Sequence, residues 1–248
     1  MTTVKNIYDY INSVAPFDTM EEWDNAGFLI GDFRKSVKKV VFTLDVTKAV
    51  AEYAAEIGAD LIVSHHPVIF SGVKAVKKGS VVYTCVNNDI AVISAHTNYD
   101  KAQGGINDSL CQILNLNNIR QIDNSFLSVG ELEQGMSIDD FAQYVSDILN
   151  VSGIRFTDTE KDIKTVAVGG GACEEYAELA LENADCFLTG DAKYHQMLEF
   201  AENDMPVISA GHFETESLPF KMFMEKTKQI FTDVEFYWGN QENPVLSL

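Results

Sequence analysis

The sequence predicts an α/β protein of two lobes, each a mixed, mostly parallel sheet flanked by helices. Three observations lead there. Short apolar runs alternate with stretches of helical period along nearly the whole chain, the pattern of strand–helix–strand units. Chemically capable residues recur just past the ends of the apolar runs, where open α/β sheets place their ligand crevice. The alternation is interrupted once, by the polar stretch 117–136, and then resumes. That interruption predicts an N-terminal lobe over 1–126 and a C-terminal lobe over 127–248, with the functional site in the cleft between them.

The elements follow in order. Residues 4–14 set Ile7, Tyr10, Ile11 and Val14 on one helical face, and Pro16 stops the helix. Asp24, Asn25 and Gly27 are turn residues, and Phe28–Ile30 starts a strand. Lys39–Leu44 is a second strand, ending at Asp45. Thr47–Ile57 is helical, closed by Gly58. Leu61–Val63 is a short buried strand that ends in Ser64-His65-His66-Pro67. Val81–Val86 fits a helix or a strand. Ile90–Ala95 is a strand running into His96-Thr97-Asn98-Tyr99-Asp100, a loop in this reading, and Gly104-Gly105 opens a helix over Asn107–Leu116. The stretch 117–136 reads as a connection. Ser137 caps a helix that carries Ile138, Phe141, Val145, Ile148 and Leu149 on its core face. Strands at Lys164–Val168, Cys186–Thr189, Pro206–Ala210 and Val234–Trp238 alternate with helices at Glu174–Asn183, Lys193–Asn203 and Ser217–Ile230.

Composition narrows the function classes. Hydrophobic residues make up 46% and charged residues 22%, an ordinary globular balance. The formal net charge of −19 repels a nucleic-acid backbone, and the one basic cluster, Lys74, Lys77 and Lys78, reads as a solvated loop. The same charge attracts cations. Four scattered cysteines with no CxxC pair exclude a disulfide scaffold and a thiolate zinc site, and suit reduced thiols in a cytoplasmic protein. No signal-peptide pattern and no apolar run of membrane-spanning length is present in the sequence, so no membrane partner is expected.

The chemistry concentrates at the strand ends. Adjacent histidines point to opposite faces of a strand, so His65-His66-Pro67 is hard to explain as packing, whereas at a strand tip both rings can be used. His65, His66, Asp100, His212 and Glu216 together offer imidazole and carboxylate donors, a set suited to zinc, iron or manganese. Asp100 lies four residues after His96 and Glu216 four after His212, spacings that converge if the chain is helical there. Five such ligands exceed one tetrahedral ion and cannot close two, which describes a two-metal site with open positions. Each residue has a plainer reading as well: Glu216 as an acid near a helix N-terminus, Asp100 as a turn residue. His195, four residues after Asp191, is a candidate substrate-orienting residue or general acid and equally a surface histidine. His96 is a candidate proton shuttle and a residue that holds the Asp100 loop. Gly169-Gly170-Gly171 reads as a tight turn or, more weakly, as a phosphate cradle without the Lys-Ser/Thr of a P-loop.

Seven motifs, in order, resemble one family: Trp23-Asp24-Asn25-Ala26-Gly27, Ser64-His65-His66-Pro67, His96 through Asp100, Gly104-Gly105-Ile106-Asn107-Asp108, Gly169–Gly171, Thr189-Gly190-Asp191 and Gly211-His212 through Glu216. The family is the NGG-interacting-factor-three-like proteins, also called dinuclear metal-centre hexameric proteins and GTP cyclohydrolase I type 2 homologues. The resemblance implies two similar lobes, a homohexameric ring and two divalent metal ions per chain. By position it assigns His65, His66, Asp100, His212 and Glu216 as ligands, with Glu216 bridging and the adjacent histidines serving different ions. Many members insert a small domain mid-chain; here only 117–136 stands in its place, so no inserted domain is expected. Two functions fit: a metal-dependent hydrolase acting on a nucleotide, a phosphorylated small molecule or a ring amide, and a non-enzymatic metal-binding or regulatory protein acting through protein partners.

Overall fold

The structure, a computed structural model, describes residues 1–246. The chain divides into two compact units, the first Met1–Ala102 with Phe220–Glu242, the second Gln103–Pro219 with the segment from Asn243. In chain order the first unit contributes α1 (Val4–Val14), β1 (Gly27–Ile30), β2 (Lys39–Thr43), α2 (Lys48–Glu56), β3 (Leu61–Ser64), α3 (Val81–Asn87), β4 (Ala91–Ser94) and α4 (Thr97–Lys101). The second contributes α5 (Ile106–Ile113), β5 (Asn117–Gln121), β6 (Ser128–Met136), α6 (Ile138–Leu149), β7 (Arg155–Phe156), β8 (Ile163–Gly169), α7 (Ala177–Leu181), β9 (Cys186–Thr189), α8 (Tyr194–Glu202) and β10 (Val207–Ser209). Helix α9 (His212–Ile230) belongs to the second unit through Pro219 and to the first from Phe220, and β11 (Glu235–Trp238) completes the first.

Local chemistry explains the boundaries. The Thr3 and Asn6 side chains form a capping box at the start of α1. Thr47, Ser80 and Ser137 accept the N–H of Val50, Tyr83 and Asp140 and so start α2, α3 and α6. The Ser80 cap settles 81–87 as a helix. Asn150, in the left-handed conformation at φ 54°, ends α6.

In the first unit the sheet order is β1-β4-β3-β2-β11, with β4, β3, β2 and β11 parallel and β1 antiparallel at the edge. The central strands β2, β3 and β4 are buried almost throughout, as expected for strands covered on both faces. Phe42, Phe220 and Phe223 are fully buried and pack ring against ring, centroids 5.7–5.8 Å apart. In the second unit the order is β5-β6-β8-β9-β10-β7. There β8, β9 and β10 are parallel, while β5, β6 and β7 join antiparallel. The α/β class and the mixed sheets therefore stand, with the parallel strands confined in the second unit to its centre.

Three expectations differ from this arrangement. The polar stretch 117–136 is a hairpin of the second sheet, β5 and β6, and its polarity reflects β5 being an exposed edge strand. The units divide after Ala102, instead of at 126, because that hairpin pairs with β8. The C-terminal strand returns to the first unit because β11 pairs with β2, Trp238 opposite Phe42.

Both sheets use the same device where their central strands begin. Asp60 accepts the Lys38 and Lys39 N–H groups at 2.8 and 3.1 Å, and Asp185 accepts those of Lys164 and Thr165 at 3.1 and 2.8 Å. For Asp185 burial works against ionisation, but the Thr165 and Lys164 hydrogen bonds hold its carboxyl below the ordinary range. A depressed folded-state pKa contributes stability that is present above about pH 4 and lost as the pH falls further. Asp185→Asn is therefore expected to lower the unfolding midpoint at pH 7, with the difference from wild type shrinking in denaturation curves as the pH falls below about 4.

Candidate metal centre

The register of the first sheet builds a histidine row. Thr43, Ser64 and Ser94 are aligned at the ends of β2, β3 and β4. The ladder continues past them: His65 N–H donates to the Thr43 carbonyl, His66 N–H to that of Leu44, and Ala95 N–H to that of Ser64. Two residues beyond the aligned trio therefore come Asp45, His66 and His96. The His66 Nδ1 lies 2.8 Å from Asp45 Oδ1, the His96 Nδ1 2.9 Å from Asp24 Oδ1, and the His65 Nδ1 2.8 Å from the Ala95 carbonyl oxygen. The three ring centroids are 5.0–5.4 Å apart, and one ring nitrogen of each lies within 4.8 Å of the others. His65 is fully buried, and its Nε2 stands 3.5 Å from Asp100 Oδ1. Asp100 is presented by α4, whose first turn closes when Asp100 N–H donates to the His96 carbonyl.

Asp24 holds this corner together. Its carboxylate takes His96, the Thr97 hydroxyl at 2.6 Å and N–H groups of Thr97 and Asn25. Burial opposes its ionisation, but the hydrogen bonds from His96 and Thr97 bring its pKa down to about 2.

The second sheet repeats the logic with glycines. Gly169, Thr189 and Ser209 align at the ends of β8, β9 and β10. Beyond them Asp191 N–H donates to the Gly171 carbonyl and Gly211 N–H to that of Gly190. Helix α9 starts here, and His212 and Glu216 face each other one turn apart, Nε2 to Oε2 3.2 Å. The His212 Nδ1 lies 2.8 Å from Asp191 Oδ2. Burial would lower the His212 pKa, yet the hydrogen bonds to Asp191 and Glu216 and their charges carry it up to about 11. The position favours positive charge.

Glycine at 171 and 190 is a requirement of this approach. A Cβ on Gly171, at φ +65°, would collide with the Glu216 carboxylate. One on Gly190 would meet the Gly171 carbonyl at 2.6 Å and the His212 Cα at 2.9 Å. The Gly170 N–H donates to Asn107 Oδ1 and the Gly171 N–H to Thr215 Oγ1. The glycine run is thus a tight turn that seats α9, and those two amides are engaged within the protein instead of cradling a phosphate.

The residues fit a metal ion. Two donors about 2.1 Å from one ion and 90–110° apart lie about 3.0–3.4 Å from each other. The His65–Asp100 and His212–Glu216 separations of 3.5 and 3.2 Å are close to that spacing. All four imidazoles are held at Nδ1 by a carboxylate or carbonyl oxygen, which turns Nε2 toward the donor group and raises its basicity.

Comparison with known proteins identifies the family. The family model for Duf34/NIF3 (NGG1p interacting factor 3) matches residues 2–244. The chain belongs to the DUF34/NIF3 family. A Clostridium perfringens relative called GTP cyclohydrolase 1 type 2 homolog is 32% identical over 94% of this chain and 94% of its own. The NIF3-like protein 1 of Drosophila melanogaster is 32% identical over 83% of this chain and 75% of its own. A crystal structure of a Staphylococcus aureus protein superposes with a TM-score of 0.93 at 26% identity, covering 100% of this chain and 99% of that one.

Within this NIF3-family chain the predicted residues are distributed as follows. His65, His66 and Asp100 gather at the first sheet, and His96 joins them as a third ring. His212 and Glu216 pair on α9, which begins five residues before the predicted Ser217 because Thr215 N–H closes a turn onto Gly211. Asp100 is helical instead of lying in a loop. His195 is exposed on α8, edge-on to Tyr194, and makes no hydrogen bond or ion pair among the described residues. Asp191, four residues before it, precedes α8 and binds His212. The orienting acids Asp24, Asp45 and Asp191 were visible in sequence only as turn or strand-end residues. The Trp23-Asp24-Asn25 and Gly190-Asp191 motifs were the available signal.

Two predictions follow from this geometry. Asp45→Asn and Asp191→Asn should each weaken metal affinity about 10–100-fold, measured by competition with a chromophoric chelator. Gly171→Ala should displace the Glu216 carboxylate and lower metal content by elemental analysis, while strain at positive φ costs about 1–3 kcal/mol in denaturant unfolding.

Proposed function

We propose that this protein is a dinuclear metal-dependent hydrolase acting on a nucleotide or another phosphorylated small molecule. The carrying observation is the common orientation of four imidazoles by hydrogen bonds at Nδ1, with Asp100 and Glu216 set at ligand spacing from two of them. His65, His66, Asp100, His212 and Glu216 hold two divalent ions in this reading, with zinc, iron or manganese matching the donors. When bound, such ions supply Lewis-acid polarisation of water and neutralise charge on a leaving oxygen. The chain's own residues do the rest. Asp45, Asp24, Asp191 and the Ala95 carbonyl orient the rings. His96, whose Nδ1 is committed to Asp24, carries a proton at Nε2 to or from the reacting group. His195, exposed on α8, is the weaker candidate for that role. Names of relatives such as GTP cyclohydrolase 1 type 2 homolog support a nucleotide substrate.

The family resemblance also favours a homohexameric ring. Four buried free thiols favour a reducing compartment such as the cytoplasm, and among the described residues no helix is long and apolar enough to cross a membrane. A non-enzymatic metal-binding role uses the same ligands and differs only in the absence of turnover.

Protein purified without chelator should contain about two ions per chain, and Glu216→Ala should lose metal together with at least about 100-fold of its turnover on nucleotides or phosphoesters. Two ions with no turnover on any substrate would favour the binding role, and failure to bind metal after reconstitution would overturn the assignment.

A further inference from the structure

One feature beside the histidine cluster is used neither by the fold nor by the metal ligands. Trp23 and Phe70 are large aromatic side chains left 58% and 54% exposed. Their ring centroids are 6.0 Å apart at 46°, and each ring also packs edge-on to His96, at 6.1 and 6.5 Å. The two loops that carry them are tied together, since the Asn25 side-chain amide donates to the Ile69 carbonyl. Asp24, next to Trp23, is fastened to His96 and Thr97. The pair is therefore a fixed aromatic surface bordering an imidazole. Leaving both rings more than half exposed forgoes burial free energy that the core would have recovered.

The Phe70 loop has a second peculiarity. It spans residues 65–80 between β3 and α3 without regular structure, long for a connection in an α/β unit. In a chain with 37 acidic and 18 basic residues it sets Lys74, Lys77 and Lys78 within five positions, all exposed. None of the three forms an ion pair among the described residues. Lys74 is at most about 14 Å of chain from Phe70. An aromatic face with cations on the same loop matches a ligand that has a planar ring at one end and phosphates at the other. Ring stacking is tolerant of base identity, and lysines serve phosphates as point charges.

We propose that Trp23, Phe70 and the Lys74–Lys78 loop form the recognition site for a nucleoside phosphate, its ring stacked on the aromatic pair beside His96 and its phosphates on the lysines. The ring lies across the outer face of the pair, because two rings tilted at 46° leave no parallel slot between them. The site names the substrate class of the hydrolase reading and rests on it for the ligand's chemical fate; the binding step is testable by itself.

The test uses the full-length protein as purified, in a Trp238→Phe background that leaves Trp23 as the remaining one of two tryptophans. GTP, guanosine and inorganic tripolyphosphate are titrated by Trp23 fluorescence and by calorimetry. GTP should bind saturably and quench Trp23. Phe70→Ala should weaken GTP and guanosine about tenfold or more. Lys74→Ala/Lys77→Ala/Lys78→Ala should weaken GTP about tenfold or more and leave guanosine unchanged. All these positions are exposed, so circular dichroism and melting should match the parent. Absence of GTP binding, GTP affinity within twofold of wild type in both variants, or tripolyphosphate binding as tight as GTP overturns the proposal. Nucleotide bound through these residues without turnover would sink the hydrolase reading and leave this one standing. Turnover of a nucleotide whose KM neither variant moves would do the reverse.

Discussion

A hydrogen bond at Nδ1 is the interaction on which the rest depends. An imidazole on a short side chain has a rotatable ring and two nitrogens, and it presents a defined donor only when one nitrogen is committed. Here Asp45, Asp24, Asp191 and the Ala95 carbonyl make that commitment for four histidines. Three of those acceptors sit past the carboxyl ends of parallel strands, so the register of the sheets is also the register of the site. A one-residue slip of β3 against β2 would carry His66 away from Asp45 and turn every side chain of β3 to the other face.

The two sheets reach similar ends by different means. In the first, histidines stand on the strand tips and the strands bring them together. In the second, glycines stand just past the tips so that α9 can sit against them and supply His212 and Glu216 from its first two turns. Glycine is needed there because a Cβ at 190 would strike the Gly171 carbonyl and the His212 Cα, backbone atoms that cannot rotate away.

The electrostatics fit a cation. An overall charge of −19 would by itself be a statement about solubility. The carboxylates around His212 make it local: they hold that ring protonated up to about pH 11 against the opposing effect of burial. A divalent ion and a proton compete for such a position, which couples metal binding to proton release.

The sequence by itself determined the strands, because β2, β3, β4, β8, β9 and β10 are short apolar runs with turn chemistry at both ends. It also indicated where chemistry collects, because adjacent histidines at a strand tip are hard to explain as packing and open α/β sheets bind ligands past the carboxyl ends of their strands. His65, His66, His212 and Glu216 were legible for that reason. Tertiary structure decided what periodicity does not encode. The hairpin β5–β6 looked like a linker because an exposed edge strand has no apolar face to reveal it. The strand β11 joined the first sheet through a pairing almost 200 residues distant. Asp24, Asp45 and Asp191 gained their roles from partners 72, 21 and 21 residues away. A carboxylate in a turn reads the same whether it faces water or an imidazole, and only the folded chain supplies the partner that distinguishes them.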